Sequence, residues 1–256
     1  MQAPLSISPF HFGTKVKHLI TTRCGGYSQA PYASLNLAMH VGDCSVRVQK
    51  NRLLVARQLD IAPEQLCFME QVHGDTVALI DKENETPPIA DAMLTQQKGL
   101  ALCVLTADCL PLLLYAPQVG AVGVIHAGWR GLAQQIIAQS LKKMQEAYGA
   151  LPQQILVGIG PHISVQHYEV GEEVINALQR SVPADLRHKI YIRKNASGRY
   201  HADLLAVARA QLMAAGVPPE NIQYHALCTY AANDRFYSAR REGIKSGRFA
   251  SVIMLM

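Results

Sequence analysis

Three residues of this chain carry side chains that bind soft or borderline metal ions, and each sits in a similar local setting. His73 lies in Gln71-Val72-His73-Gly74-Asp75, Cys109 in Thr106-Ala107-Asp108-Cys109-Leu110-Pro111, and His126 in Ile125-His126-Ala127-Gly128-Trp129-Arg130-Gly131. In each, an apolar run gives way to small or turn-forming residues. Strand ends of this kind converge at one edge of a sheet, where binding sites are commonly built. Two imidazoles and one thiolate suit zinc, and also copper. Three protein donors leave one coordination position open for water or a substrate oxygen, which a catalytic ion requires. A structural zinc would want four ligands, usually with closely spaced cysteine pairs; the two nearest cysteines here, Cys103 and Cys109, are six residues apart. Taken singly, each residue also has an ordinary reading, since a cysteine in an apolar run packs a core and a histidine at a strand end bonds locally.

The elements that must position this trio are legible as alternating runs. Val16 to Thr21 reads as a strand, followed by a glycine turn over Thr22 to Ser28. A helix capped by Asp43 or Ser45 runs to about Leu59. Cys67 to Val72 and Thr76 to Ile80 read as strands around His73. Leu100 to Leu105, Leu112 to Tyr115 and Ala121 to Ile125 are continuous apolar runs, as expected of strands buried on both faces. After His126 the spacing of Leu132, Ile136, Ile137, Leu141, Met144 and Tyr148 predicts one helix to about Tyr148. Ile155 to Ile159 reads as a strand ended by Gly160-Pro161. Glu172 to Arg180 and Leu204 to Ala215 read as helices, the second capped by Asp203, and Ile222 to Leu227 and Ser251 to Leu255 as closing strands. The mixture lacks regular alternation and predicts an α+β domain, a mixed β-sheet core with flanking helices, over residues 1–256 as a single unit.

Composition sets the outer limits. Apolar residues make up 49% and charged residues 17% of the 256, so a large core is available and disorder is not expected. The formal charge of +5 favours anionic small molecules as much as nucleic acid. The stretch from Leu100 to Ile125 is broken by Asp108, Pro111 and Pro117, which argues against a membrane helix. No secretory signal is read at the start, so the six cysteines are expected to be free thiols in the cytoplasm.

At these motifs the chain resembles the YfiH-type laccase-domain family, also called polyphenol oxidase-like or peptidoglycan editing factor proteins. The matching stretches are Thr21-Thr22-Arg23-Cys24-Gly25-Gly26, Ser34-Leu35-Asn36-Leu37, His40-Val41-Gly42-Asp43, Gln71-Val72-His73-Gly74 and Ala90-Asp91-Ala92. They continue through the Cys109 and His126 motifs, Gly160-Pro161-His162-Ile163, Tyr168-Glu169-Val170-Gly171 and Ser238-Ala239-Arg240-Arg241-Glu242-Gly243. The resemblance implies that His73, Cys109 and His126 are the metal ligands. It implies a zinc-dependent purine nucleoside phosphorylase acting on adenosine, inosine and methylthioadenosine, with adenosine deaminase activity in the same pocket. It also implies a fold similar to the catalytic domain of cytotoxic necrotizing factors. Many members carry a cysteine where this chain has His162, so no family role is carried over to that residue.

The implied chemistry adds further candidates. Zinc lowers the pKa of bound water to about 7, which suits attack at C6 of adenosine. Asp108, Asp75 and Glu70 are then candidates either for moving protons, Asp108 foremost, or for orienting the histidines. Phosphorolysis needs a phosphate site, for which Arg23, Arg52 and Arg130 are candidates because a planar guanidinium fork suits oxyanions; Asn36 is a candidate substrate hydrogen-bonder. None of the ten histidines lies two positions from another, so the His-x-His pairs of a four-copper oxidase are absent, although copper could occupy a single site and make the protein oxidise phenols. Two other readings compete: a cytosolic hydrolase editing mis-assembled peptidoglycan precursors of the UDP-muramoyl-serine type, and a nucleic-acid-binding module. The latter would use Arg235, Arg240, Arg241, Lys245 and Arg248 interleaved with Phe236, Tyr237 and Phe249.

Overall fold

The computed structural model describes residues 5–7, 10–82, 86–190, 192–194 and 199–256. The first half contains β1 (Ser6–Ile7), β2 (Val16–Thr21), α1 (Ser45–Leu59), β3 (Leu66–Cys67), β4 (Val77–Leu79), β5 (Ala92–Thr95), β6 (Ala101–Thr106), β7 (Leu110–Ala116) and β8 (Ala121–Ala127). The second contains α2 (Trp129–Ala133), α3 (Ile136–Tyr148), β9 (Leu156–Ile159), β10 (Glu169–Val170), α4 (Glu172–Arg180), β11 (Ile192–Lys194), β12 (Tyr200–Ala202), α5 (Leu204–Ala214), β13 (Ile222–Tyr224), α6 (Ala239–Glu242) and β14 (Phe249–Leu255).

Two mixed sheets form the centre. One has the order β1-β2-β14-β6-β3 and the other β13-β9-β7-β8-β5-β4; a small third sheet, β10-β12-β11, lies apart. The expected α+β architecture with mixed sheets is thus observed. Most pairings are antiparallel, while β3 with β6, β4 with β5 and β13 with β9 run parallel.

The apolar runs follow from burial of both strand faces. In β6, Leu102 and Val104 face the space between the two sheets, whereas Ala101, Cys103 and Leu105 face outward towards Val55, Ala56 and Leu59 of α1. In β7, Leu113 and Tyr115 enter the inter-sheet core, while Leu110, Leu112 and Leu114 turn towards α3 and α5. The molecule is therefore layered, with α1 outside the first sheet and α2, α3, α4 and α5 outside the second. A period of two remains in the contacts but is hidden in the sequence, because both faces demand apolar side chains.

Several boundaries differ from the sequence reading. The strand expected over Cys67–Val72 ends at Cys67, so His73 lies in a loop between strands. The single helix expected after His126 is two: His126 and Ala127 complete β8, and Gln135 (φ 62°) breaks the helix between α2 and α3. The helical spacing survives the break because Leu132, Ile136, Ile137 and Leu141 all bury on the same sheet face. Cys44, with no side-chain cap bond, precedes α1 in place of Asp43 or Ser45. Asp203 does cap α5, accepting from the Ala206 N–H at 3.0 Å. The closing strand from Ile222 is shorter than expected, β14 begins at Phe249, and β5, α6 and the β10–β12 sheet went unread. All six cysteines are free thiols. No helix among the described residues is long and apolar enough to cross a membrane.

Candidate metal centre

The connections that switch between the two sheets build the site. The chain leaves β3 in the first sheet and enters β4 in the second, and the loop between them carries His73. It leaves β6 and enters β7 in the same direction through Ala107-Asp108-Cys109. His126 stands near the end of β8, beside β7. Both crossings are tight: His73 has φ 61° and Asp108 φ 89°, left-handed conformations uncommon for residues other than glycine. Such conformations cost about 1–3 kcal/mol each and cluster where function imposes geometry.

One potential donor atom from each of His73, Cys109 and His126 lies within 4.8 Å of the others. Among the described residues this is the single group of three or more His, Cys, Asp or Glu side chains that could share an ion. Cys109 Sγ and His73 Nε2 are 3.8 Å apart, and the two imidazole rings meet edge to face at 4.7 Å between centroids. The trio runs from the exposed His73 through the half-buried Cys109 to the buried His126, so one side of the cluster opens outward.

Asp91, just ahead of β5, organises this trio. Its fully buried carboxylate lies 2.7 Å from His126 Nδ1 and accepts backbone N–H bonds from Val72, His73 and Gly74 at 3.2, 3.0 and 2.7 Å. Its oxygens thus fix both the His126 ring and the His73 loop. With Nδ1 engaged, Nε2 is the His126 nitrogen left for an ion, the carboxylate–histidine arrangement that supports metal sites. The sequence marked Ala90-Asp91-Ala92 only as a motif; a carboxylate between two alanines at a strand start was the available signal.

Charge is coupled across the cluster. Burial alone would raise the Cys109 thiol, but the charge and hydrogen bonds of His126 and His73 outweigh it and bring the thiol down to about 6. Burial likewise disfavours a charged His126, yet the Cys109 thiolate and Asp91 lift it to about 9. The metal-free site therefore holds a thiolate against an imidazolium at neutral pH. A thiolate, once the imidazole gives up its proton, is a ligand. Gly128 is required by contact: a Cβ there would stand 3.0 Å from His73 Cδ2 and 3.1 Å from Cys109 Sγ.

A cavity of about 360 Å³ opens on the trio. Arg130, Trp129, Tyr168, Asp108, His40, Arg240 and Arg248 line it too. Of the residues singled out from sequence, His73, Cys109, His126, Asp108 and Arg130 come together here. Asp108 is committed: its carboxylate accepts from the Thr229 hydroxyl and from the Arg240 backbone N–H, each at 2.6 Å. These two bonds tie the β6–β7 crossing to Thr229 and to α6.

Arg23, Arg52 and Asn36 lie outside the cavity wall. Arg23 pairs with Glu242 and lies over the Tyr237 ring. Arg52 donates to the Leu37 carbonyl and stacks on Phe68 at 3.7 Å. Asn36 is fully buried and bonded within its own turn. Asp75 and Glu70 do not line the cavity, and His162 is buried against the Gly160 carbonyl. The aromatic rings offered as a nucleic-acid platform, Phe236, Tyr237 and Phe249, are fully buried, so they present no face to stack a base. Arg240 and Arg248, read from sequence as part of a nucleic-acid-binding cluster, line this cavity instead, together with His40 and Tyr168, which the sequence marked only within motifs.

Residues 17–256 match the family model described as multi-copper polyphenol oxidoreductase laccase. The chain belongs to this laccase-like family. Within it, a purine nucleoside phosphorylase from Bacteroides thetaiotaomicron is 38% identical over 251 residues, covering 94% of this chain and 92% of the relative. A protein named adenosine deaminase RL5, from an unknown prokaryotic organism, is 37% identical, with 91% of each chain covered. The crystal structure of YlmD from Geobacillus stearothermophilus superposes with a TM-score of 0.89 at 33% identity, covering 94% of this chain and 92% of that one. The Bacillus licheniformis YfiH structure does so with a TM-score of 0.90 at 32% identity, covering 94% and 93%. The family's description speaks of copper oxidation, while these named relatives are called a phosphorylase and a deaminase of purine nucleosides.

Proposed function

We propose that the chain is a zinc-dependent purine nucleoside phosphorylase that accepts adenosine, inosine and methylthioadenosine and also deaminates adenosine in the same pocket. The observation that carries this reading is the convergence of His73, Cys109 and His126 on the wall of a cation-lined cavity large enough for a nucleoside. The names of the relatives support the substrate class.

The donor set fits an ion. Two imidazoles and a thiolate that is already deprotonated match zinc, and a set of three leaves room for a further ligand. Zinc held there would supply Lewis acidity to an oxygen or nitrogen of the reactants. The rest of the work falls to the chain. Asp91 fixes the His126 tautomer and the His73 loop, so the donors are oriented before an ion arrives. Trp129 and Tyr168 offer flat apolar faces for a purine ring. Burial, with the nearby Cys109 as the next contributor, pushes the Tyr168 phenol up, so it stays protonated and is a hydrogen-bond donor for a substrate. Asp108 anchors Thr229 and the start of α6 beside the pocket.

The same donors also accept copper, which competes well for nitrogen and sulfur. A four-copper oxidase is disfavoured by the missing His-x-His pairs. The cytoplasm, where six free thiols persist, is the compartment that suits the proposal. Zinc-loaded and copper-loaded protein should be assayed in parallel on adenosine plus phosphate, adenosine alone, and a phenol. Release of adenine and ribose phosphate, and of inosine without phosphate, is expected from the zinc form. A zinc form inert on every purine nucleoside would overturn the reading.

A further inference from the structure

We propose that Arg240, Arg248 and Arg130 form a subsite for inorganic phosphate, with Asn36 as the positioning residue that aims Arg248 into it. The use of the subsite rests on the phosphorylase reading; its geometry does not. All three residues line the cavity that contains Cys109 and His126. The ion pairs found among the described residues lie elsewhere: Arg23 with Glu242, His126 with Asp91, Lys142 with Glu146, and Arg199 with Glu169. No carboxylate is within ion-pair reach of Arg130, Arg240 or Arg248 among those residues. Arg248 is partly buried while Arg130 and Arg240 are exposed, and cations that share a cavity without a carboxylate in ion-pair contact favour an anion in the space between them. Burial, then Arg248 and Arg52, push the His40 imidazole below its usual range, as a positive wall should.

The donors are also held in place. Arg248 Nη1 spends its hydrogens on the carbonyls of Ser246 and Gly247, at 2.7 and 2.9 Å. The Nε and Nη2 edge of its fork is then left to bind an oxyanion in bidentate fashion. Arg240 gives one hydrogen to the Glu169 carbonyl at 2.7 Å and lies over the Tyr168 ring at 5.1 Å. Arg130 lies over Trp129 at 4.5 Å.

Asn36, expected to touch substrate, instead sits behind this wall. Its Oδ1 accepts the Arg248 backbone N–H at 2.9 Å and the Ala38 N–H at 3.1 Å. Its Nδ2 donates to the Ala38 carbonyl and to Asp43, and its own carbonyl accepts from Asn51. Both side-chain polar atoms and the carbonyl are engaged, and one of those bonds sets where Arg248 leaves the backbone.

The test is a calorimetric titration of inorganic phosphate into the zinc-loaded protein, beside steady-state kinetics. R240M and R248M are expected to weaken phosphate by roughly tenfold or more, and R248K, which keeps the charge but loses the fork, by less. R130M serves as a further variant, since the Arg130 side chain, unlike its carbonyl, closes no turn. N36A should raise the KM for phosphate at least fivefold more than the KM for the nucleoside. Equal rises in both would assign Asn36 to folding alone and end its positioning role. Phosphate binding unchanged in all three arginine variants, or absent from the wild type, would overturn the subsite. Phosphate uptake by a wild type that turns over no purine would support the subsite and sink the phosphorylase reading.

Discussion

At the scale of single residues, the thiol of Cys109 and the carboxyl of Asp91 make separate predictions. In metal-free protein, Cys109 is thiolate above about pH 6. Peptide-resolved alkylation across pH should therefore give Cys109 a half-maximal rate near that pH, with zinc protecting it. A midpoint in the ordinary thiol range would contradict the thiolate–imidazolium pair. For Asp91, burial alone would raise the carboxyl, but the hydrogen bond with His126 and those from Gly74 and His73 outweigh it and hold it below its usual range. A folded-state pKa below the unfolded one stabilises the fold above the unfolded pKa near 4, and that contribution is lost as pH falls through the folded value. Thermal melts of metal-free protein should thus drop on acidification below about pH 5. Asp91→Asn should flatten that drop and weaken zinc on the order of 10–100-fold. The metal trio was legible in the sequence because His and Cys are chemically distinctive wherever they stand. The role of Asp91 was not, nor was the place of Arg240 and Arg248 beside the trio, which the sequence offered as part of a nucleic-acid platform, since a single Asp or Arg acquires meaning only from what the fold brings beside it.

At the scale of elements, the site depends on two connections that pass between sheets and on the short helix after β8. Gly128 lies where β8 ends, and an added methyl group would press on His73 and Cys109 together. Gly128→Ala should reduce zinc affinity and turnover by at least tenfold, while costing about 1–3 kcal/mol of stability in denaturant titrations, as overpacking does. An unchanged affinity would mean that the ligands have slack the contacts do not show. The strands β6, β7, β8 and β14 were readable as buried runs, whereas the loop at His73 was mistaken for strand. Phe68 and Met69 are apolar there because they bury in the core from a loop, and Val72 lies exposed, which apolar sequence alone does not distinguish. The break at Gln135 was invisible for a related reason: the helices on either side bury the same stripe.

At the scale of the whole molecule, the last strand closes the structure. β14 lies at the middle of the first sheet, between β2 and β6, and each of its residues is buried. Ile253 faces the inter-sheet core. Ile253→Ala should cost about 2–5 kcal/mol in chemical denaturation, and the loss should reach the metal site because Cys109 and His73 hang from crossings between the same two sheets. The sequence supported an α+β class and mixed sheets, but not the pairing of β14 with β2 and β6. That partnership joins segments more than a hundred residues apart, and period and propensity carry no such information.

The most direct test of the account is the metal content of protein purified without added ions, comparing wild type with Cys109→Ser. The account predicts one tightly held ion per wild-type chain and its loss in the variant, with purine turnover falling in step and the fold retained. A variant that keeps a full complement of metal, or a wild type that carries none and cannot be loaded with zinc, would contradict it.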